Sequence, residues 1–224
     1  MTRFLVNIVA TLLALLAIVS CKRGYSIDGS VDLYGYEGEN LYLVTHENGV
    51  FSVVDSCCVR HGHFKMSGKV DSTVFAVLCH GFEPILPLFI EKGKVTVHIA
   101  PSILDVKGTR LNNTLYEFLD KKNDIDNRYE DLLQRSQYLT NIMNPSVSYD
   151  DSLKVVVDEA EEHIFGFMRK HYTDPLGVCV FMMMCNGSST DAPSPLIRRI
   201  LDAAPEKFLN NRTIRTYTAN VGYR

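Results

Sequence analysis

The chain has 224 residues and a formal net charge of −3, from 23 basic and 26 acidic residues. Hydrophobic residues make up 46% of it, which is typical of a globular protein with a proper core, and the length suits one large domain or two small ones. No basic field is present that could neutralise phosphate groups, so we expect no nucleic-acid partner.

The first twenty residues have the pattern of a secretory signal. Arg3 is followed by an almost wholly apolar run from Phe4 to Val19. This run is too short for a comfortable transmembrane helix, which needs about 20 apolar residues. Ser20 is the small residue before a cut, and Cys21 stands where the mature chain would begin. The alternatives are an ordinary cleaved signal with a chance cysteine, and an uncleaved anchor.

The residues around Cys21 resemble the lipobox of bacterial lipoproteins, with aliphatic Ile18 three positions before the cysteine and small Ser20 directly before it. The resemblance implies a signal peptide at residues 1–20, diacylglycerol on the Cys21 sulfur and an acyl chain on its amino group. Several acyl chains hold a protein stably at a bilayer. We therefore expect Cys21 to anchor the protein at the periplasmic face of the cell envelope. The resemblance also implies, because Lys22 and Arg23 follow the cysteine, sorting to the outer membrane.

From Tyr25 to Val106 the sequence predicts short strands joined by short turns. Turn signals such as Asn48-Gly49 and Lys92-Gly93 separate runs of alternating apolar residues. This favours an antiparallel β-sandwich or a partly open barrel, and we assign residues 21–108 to a β-sandwich-like domain. The predicted strands are 25–31, 40–46, 50–59, 63–70, 72–80, 86–91 and 94–100, with the last two forming a hairpin.

Near Thr109 the apolar spacing changes to steps of three and four residues, which indicates amphipathic helices. We assign residues 109–224 to an α-helical domain, so the fold class is α+β. The first helix reaches Met143, with room for one break near Asn123. A third helix, capped at Asp174-Pro175, is apolar on nearly all sides and should be buried. The second predicted helix starts at Tyr149-Asp150-Asp151. Two shorter helices are predicted at 195–203 and 205–217.

Several glycine and aspartate positions carry a second resemblance. They are the motifs Tyr25-Ser26-Ile27-Asp28-Gly29, Val54-Asp55-Ser56, Val59-x-x-Gly62-x-Phe64-x-x-x-Gly68, Phe89-Ile90-Glu91-Lys92-Gly93-Lys94-Val95, Val106-Lys107-Gly108-Thr109 with Asn112-Asn113, and Asp174-Pro175-Leu176-Gly177. They are similar to the N-terminal domain of unknown function, and the helical segment after it, of lipid-anchored thiol–disulfide interchange proteins of Gram-negative gut bacteria. In those proteins a thioredoxin-like domain with a C-x-x-C follows. This sequence stops at Arg224, about where that domain would begin, so the redox chemistry does not carry over.

Five cysteines follow Cys21, and none forms a C-x-x-C pair. Most are expected to be buried thiols. Cys58 or its neighbour Cys57 could form a cross-strand disulfide with Cys79, since an oxidising compartment favours disulfides.

Two other groups of residues contain metal-ligand types. His61-x-His63 would put two imidazoles on one face of a strand, and Cys79-His80 could lie on a neighbouring strand. Because no third ligand is fixed by spacing, we interpret these as surface histidines and a packed cysteine. Asp158-x-x-Glu161-Glu162-His163 resembles half of a carboxylate metal motif only loosely, and charged helix faces are usually solvated. We expect no metal and no cofactor.

No catalytic set is evident, since Ser56 has no evident histidine partner and no G-x-S-x-G is present. The sequence therefore predicts a non-enzymatic, lipid-anchored periplasmic lipoprotein with a binding or scaffolding role. The alternatives are an accessory partner of a separate thioredoxin-like oxidoreductase, and an enzyme with an unrecognised site.

Overall fold

The structure is a computed structural model that describes residues 24–47, 50–142, 150–185 and 192–223. Within these ranges eight strands precede six helices, which confirms the predicted α+β class. The strands are β1 Gly24–Val31, β2 Asn40–Glu47, β3 Val50–Cys58, β4 His63–Lys69, β5 Val74–His80, β6 Glu83–Ile90, β7 Gly93–Ala100 and β8 Ile103–Lys107.

The strands form two four-stranded sheets, in the orders β4-β1-β7-β8 and β3-β2-β5-β6. Alternate residues along each strand point to one face, and side chains such as Ile27, Leu43 and Leu88 are buried in the core. The predicted β-sandwich-like arrangement is confirmed.

Two details of the strand pairing differ from the sequence prediction. β1 and β7 pair in parallel, with Ile27 opposite Val95, whereas all the other pairs are antiparallel. The predicted hairpin of β6 and β7 is wrong, because β6 pairs with β5 in one sheet and β7 pairs with β1 and β8 in the other. The chain therefore crosses from one layer to the other at the turn before Gly93.

The helices are α1 Arg110–Ile142, α2 Asp150–His171, α3 Pro175–Cys185, α4 Pro195–Asp202, α5 Glu206–Leu209 and α6 Arg212–Asn220. α1 continues through Asn123 without the break that the sequence allowed. Its 33 residues give a rod about 50 Å long. The predicted last helix is divided in two, because Asn211 accepts a hydrogen bond from the Thr213 N–H and starts a new helix as its N-cap.

The start of α1 is hydrogen-bonded to the edge strand β6. The Asn112 amide accepts from the Phe89 N–H and donates to the Phe89 carbonyl, both at 2.8 Å. The Tyr116 hydroxyl donates to the Pro87 carbonyl at 3.0 Å. Just before α1, Gly108 lets the chain pass close to β7, because its φ of 123° favours glycine and a Cβ there would collide with the Lys94 carbonyl. The helical part is thus fixed to one side of the sandwich.

The helices enclose apolar side chains of their own. α3 buries Phe181 and five other residues, as its all-round apolar sequence predicts. The Phe181 ring meets Phe208 of α5 and Tyr217 of α6 edge-on, and the Tyr172 hydroxyl donates to the Ile200 carbonyl at 2.7 Å. No helix in the described ranges is long and apolar enough to cross a membrane.

Candidate functional site

The outer face of the sheet β3-β2-β5-β6 carries an open groove of ≈ 750 Å³. Its floor follows the strand register. Val44 of β2 lies between Val53 of β3 and Val77 of β5. On one side of this valine row Tyr42 lies beside Cys79. The groove is therefore built on three adjacent strands, of which β2 and β5 pack their opposite face into the core.

Aromatic rings border the groove. Phe51 stacks on His46 with ring centroids 4.4 Å apart, and it is 75% exposed. Phe75 borders the groove on the side of β6, where its ring lies 5.5 Å from that of Phe89, measured between centroids. Phe82, in the turn between β5 and β6, is fully exposed. Exposed apolar side chains that adjoin one another in this way commonly mark an interaction site.

The lining has few groups that could do chemistry. His46 is the only histidine among the lining residues, which include no carboxylate and no amine. Burial raises the pKa of the Cys79 thiol, so this sulfur is protonated and a poor nucleophile at neutral pH. Such a site suits an uncharged apolar ligand.

The groove exists because these strands carry apolar residues on both faces, at odd-numbered and at even-numbered positions. In β2, Leu41 and Leu43 face the core while Tyr42 and Val44 face outward. β3 likewise places Phe51 and Val53 on the outer face. This site was not predicted from the sequence, although the signal for it is present in the strands. A sandwich sheet needs only one apolar face, so a second one predicts an exposed patch.

The structure does not bring Cys58 and Cys79 together. Cys58 lies opposite Asn40 and Cys79 opposite Tyr42, so the whole of β2 separates them. Two strand spacings amount to about 9.6 Å, beyond the reach of a disulfide. Cys57 lies beside core-facing Leu41, whereas Cys79 faces outward. All three thiols are free in the structure, and Cys21 lies outside the described residues.

His61 and His63 do not lie together on one strand. His61 lies in a turn with a positive φ of 53°, where its N–H donates to Glu37, while His63 begins β4. The His80 ring packs against Tyr36 at a tilt of 34°, with the ring centroids 4.7 Å apart. Within the described ranges no three side chains of the metal-ligand types are grouped to hold an ion.

The acidic residues of α2 connect helices. Glu159 pairs with Lys121 and Arg128 of α1, at 3.1 and 2.6 Å. Glu162 pairs with Arg199 of α4 at 2.6 Å. The ring of His163 lies against Phe118, and its Nε2 hydrogen-bonds the Phe118 carbonyl at 3.1 Å.

Comparison with known proteins identifies one domain. Residues 25–115 match the domain of unknown function DUF4369. This segment comprises all eight strands and the first turns of α1, including Asn112. No curated protein and no solved structure shows significant similarity to the chain. The match confirms that the β region is a domain of unknown function, while the thioredoxin-like context stays a prediction.

Proposed function

We propose that this protein is a lipid-anchored, non-enzymatic lipoprotein of the cell envelope that binds an uncharged apolar ligand in the outer groove of the sheet β3-β2-β5-β6. The observation that carries the proposal is the groove itself. Its floor is a row of three valines, its border is aromatic, and its one buried thiol is protonated. This combination supports binding by burial of apolar surface and offers no nucleophile or acid–base pair.

The groove is tested with Nile red, a neutral apolar dye whose emission shifts to the blue on binding. We expect the protein to bind the dye, and Val44→Lys or Val77→Lys to weaken binding by about tenfold or more, since each places a charge on the apolar floor. Val155→Lys is the matched control, because Val155 is 65% exposed on α2, away from the groove. Equal binding by all four proteins would contradict the proposal.

The anchor is proposed on the sequence around Cys21, with the periplasmic face of the outer membrane as its location. We expect wild-type cells to incorporate a clickable palmitate analogue into the protein, and Cys21→Ala to abolish the label. Labelling of the variant at the wild-type level would contradict the anchor. Loss of the protein when intact cells are treated with protease would contradict the periplasmic orientation.

A second candidate function is that of an accessory partner for a separate thioredoxin-like protein. The DUF4369 match supports it, because it falls on the segment that resembles the N-terminal domain of thiol–disulfide interchange proteins. The protein itself should then lack dithiol reductase activity, and insulin reduction should equal that of a cysteine-free variant. Co-purification of a thioredoxin-like protein with wild type but not with Val44→Lys would favour this function.

A further inference from the structure

The strand β3 lies at the edge of its sheet, and this edge is free along its first half, whereas its last residues approach β4 of the other sheet. It spans nine residues and pairs only with β2 within the described part of the chain. Four of its apolar side chains are exposed: Val50 by 61%, Phe51 by 75%, Val53 by 62% and Val54 by 48%. An exposed apolar edge of this kind is a template for pairing with another strand.

The other three sheet edges carry features that oppose such pairing. On β6 the Asn112 amide occupies the N–H and carbonyl of Phe89, and Tyr116 occupies the carbonyl of Pro87. β4 carries two exposed lysines, Lys65 and Lys69. β8 is only five residues long and packs against α1. Short strands, lysines and covering helices are the devices by which sheet edges are protected. β3 has no lysine and no covering helix among the described residues.

One hydrogen bond shows which backbone groups of β3 point outward. The Thr45 hydroxyl donates to the Ser52 carbonyl at 3.3 Å, and Thr45 lies directly opposite Ser52 on β2. The Ser52 carbonyl therefore faces β2. Because carbonyl direction alternates along a strand, the N–H and carbonyl groups of Phe51 and Val53 point toward the free edge.

We propose that β3 pairs with β3 of a second copy, antiparallel about a two-fold axis at Ser52. In this register Phe51 lies opposite Val53 of the second copy and Val50 opposite its Val54, so every exposed apolar side chain of the strand meets an apolar one. The outward N–H and carbonyl groups of Phe51 and Val53 form four hydrogen bonds across the axis. The two Ser52 residues form the close, non-hydrogen-bonded pair between them.

A β-bulge limits this pairing to a short segment. Val53 lies opposite Val44 but Asp55 lies opposite Leu43, so Val54 is the extra residue. Beyond the bulge the strand bends, so the pairing extends no further than Val54, and its hydrogen bonds are confined to Phe51 and Val53. With the other edges protected, the result is a closed dimer and not an open fibre.

The register is tested by introducing charges at Val50 and Val54 of the full-length chain in detergent micelles. Analytical ultracentrifugation measures the dimer at protein concentrations up to the high micromolar range. We expect wild type to dimerise. Val50→Lys with Val54→Lys should weaken the dimer by about tenfold or more, since like charges then lie opposite. Val50→Lys with Val54→Glu should keep dimerisation within about threefold, because each lysine faces a glutamate. A monomeric wild type, or equal loss in both variants, would overturn the proposal.

A cysteine placed on the axis gives an independent measurement. Ser52→Cys should form an intermolecular disulfide under mild oxidation, seen as a band of twice the mass on non-reducing gels. Ser67→Cys is the matched control, because Ser67 is an exposed serine on β4, the edge of the other sheet. Cross-linking of Ser52→Cys no greater than that of Ser67→Cys or wild type would overturn the proposal.

The dimer does not depend on the groove function. Val50 and Val54 are outside the groove lining, so the charge variants leave the Nile red site intact. Failure of dye binding with an intact dimer would reject only the proposed ligand, and the reverse result would reject only the dimer.

Discussion

At the scale of single residues, Asn112 joins the two parts of the molecule. It is fully buried on α1, and its amide satisfies both the N–H and the carbonyl of Phe89 while also donating to the Thr109 hydroxyl. A buried polar group costs free energy unless it is paired. The side chain therefore completes the hydrogen bonding of a sheet edge that has no further strand beside it.

We expect Asn112→Ala to lower the free energy of unfolding by about 2–6 kcal/mol, because it leaves two buried backbone groups without a partner, at about 1–3 kcal/mol each. The neighbouring Asn113→Ala is the control. Asn113 is exposed and accepts only from the Gly108 N–H, so water can replace it and the loss should be about 1 kcal/mol or less. Urea unfolding of both variants measures the difference. Equal losses would show that Asn112 has no special role.

Residue-scale roles were predictable only where the partner is near in sequence. The Asp174 cap was predicted, and its carboxylate does accept from the Leu176 N–H at 2.9 Å. Asn112 was placed in the first helix, but its partner Phe89 lies 23 positions earlier on a strand that the helix meets only in the folded chain. The same limit applies to the Cys58–Cys79 pair, whose separation depends on β2 lying between their strands.

At the scale of elements, ion pairs hold α2 against α1. Glu159 pairs with Arg128 and Lys121, and these hydrogen bonds hold the pKa of its carboxyl below the ordinary value of 4.5. A carboxyl with a lowered folded-state pKa stabilises the fold above its unfolded pKa. That stabilisation is lost as the pH falls through the lowered folded-state value.

We expect an NMR titration to give Glu159 a midpoint below 4.5, and Arg128→Gln to move the midpoint back toward 4.5. High salt should reduce the difference, since exposed pairs are screened. Arg135→Gln is the control, because Arg135 pairs with Asp131 on its own helix and not with Glu159. A midpoint that is the same in wild type and Arg128→Gln would contradict the pairing.

Seven of the eight strands were predicted, β8 Ile103–Lys107 was not, and the pairing of the strands was predictable only in part. Asn48-Gly49 and Lys92-Gly93 are similar turn signals, yet β2 and β3 form a hairpin while β6 and β7 lie in different sheets. A local signal reports that the chain turns, but the choice between a hairpin and a crossing between layers depends on which partners are free. The parallel pairing of β1 with β7, about 70 residues apart, belongs to the same class of non-local choice.

At the scale of the whole molecule, one apolar core runs from the sandwich into the helices. Leu111, Leu115 and Phe118 of α1 are buried in the same cluster as Val106 of β8 and Phe181 of α3. The DUF4369 match also ends inside α1, at Leu115. The start of α1 is therefore part of the packing of the β domain, although its sequence pattern is helical.

This continuity determines where the chain can be shortened. A chain ending at Val106 loses Asn112 and Tyr116, so the β6 edge opens and the apolar side chains under α1 become exposed. We expect it to be poorly soluble, whereas a chain ending at Asp120 should keep the sheet signal in circular dichroism. Because the two truncated chains differ only in residues 107–120, their comparison measures the contribution of the start of α1. A well-dispersed NMR spectrum from the chain ending at Val106 would show that the sandwich folds without α1, and the two parts would then be independent units joined near Gly108.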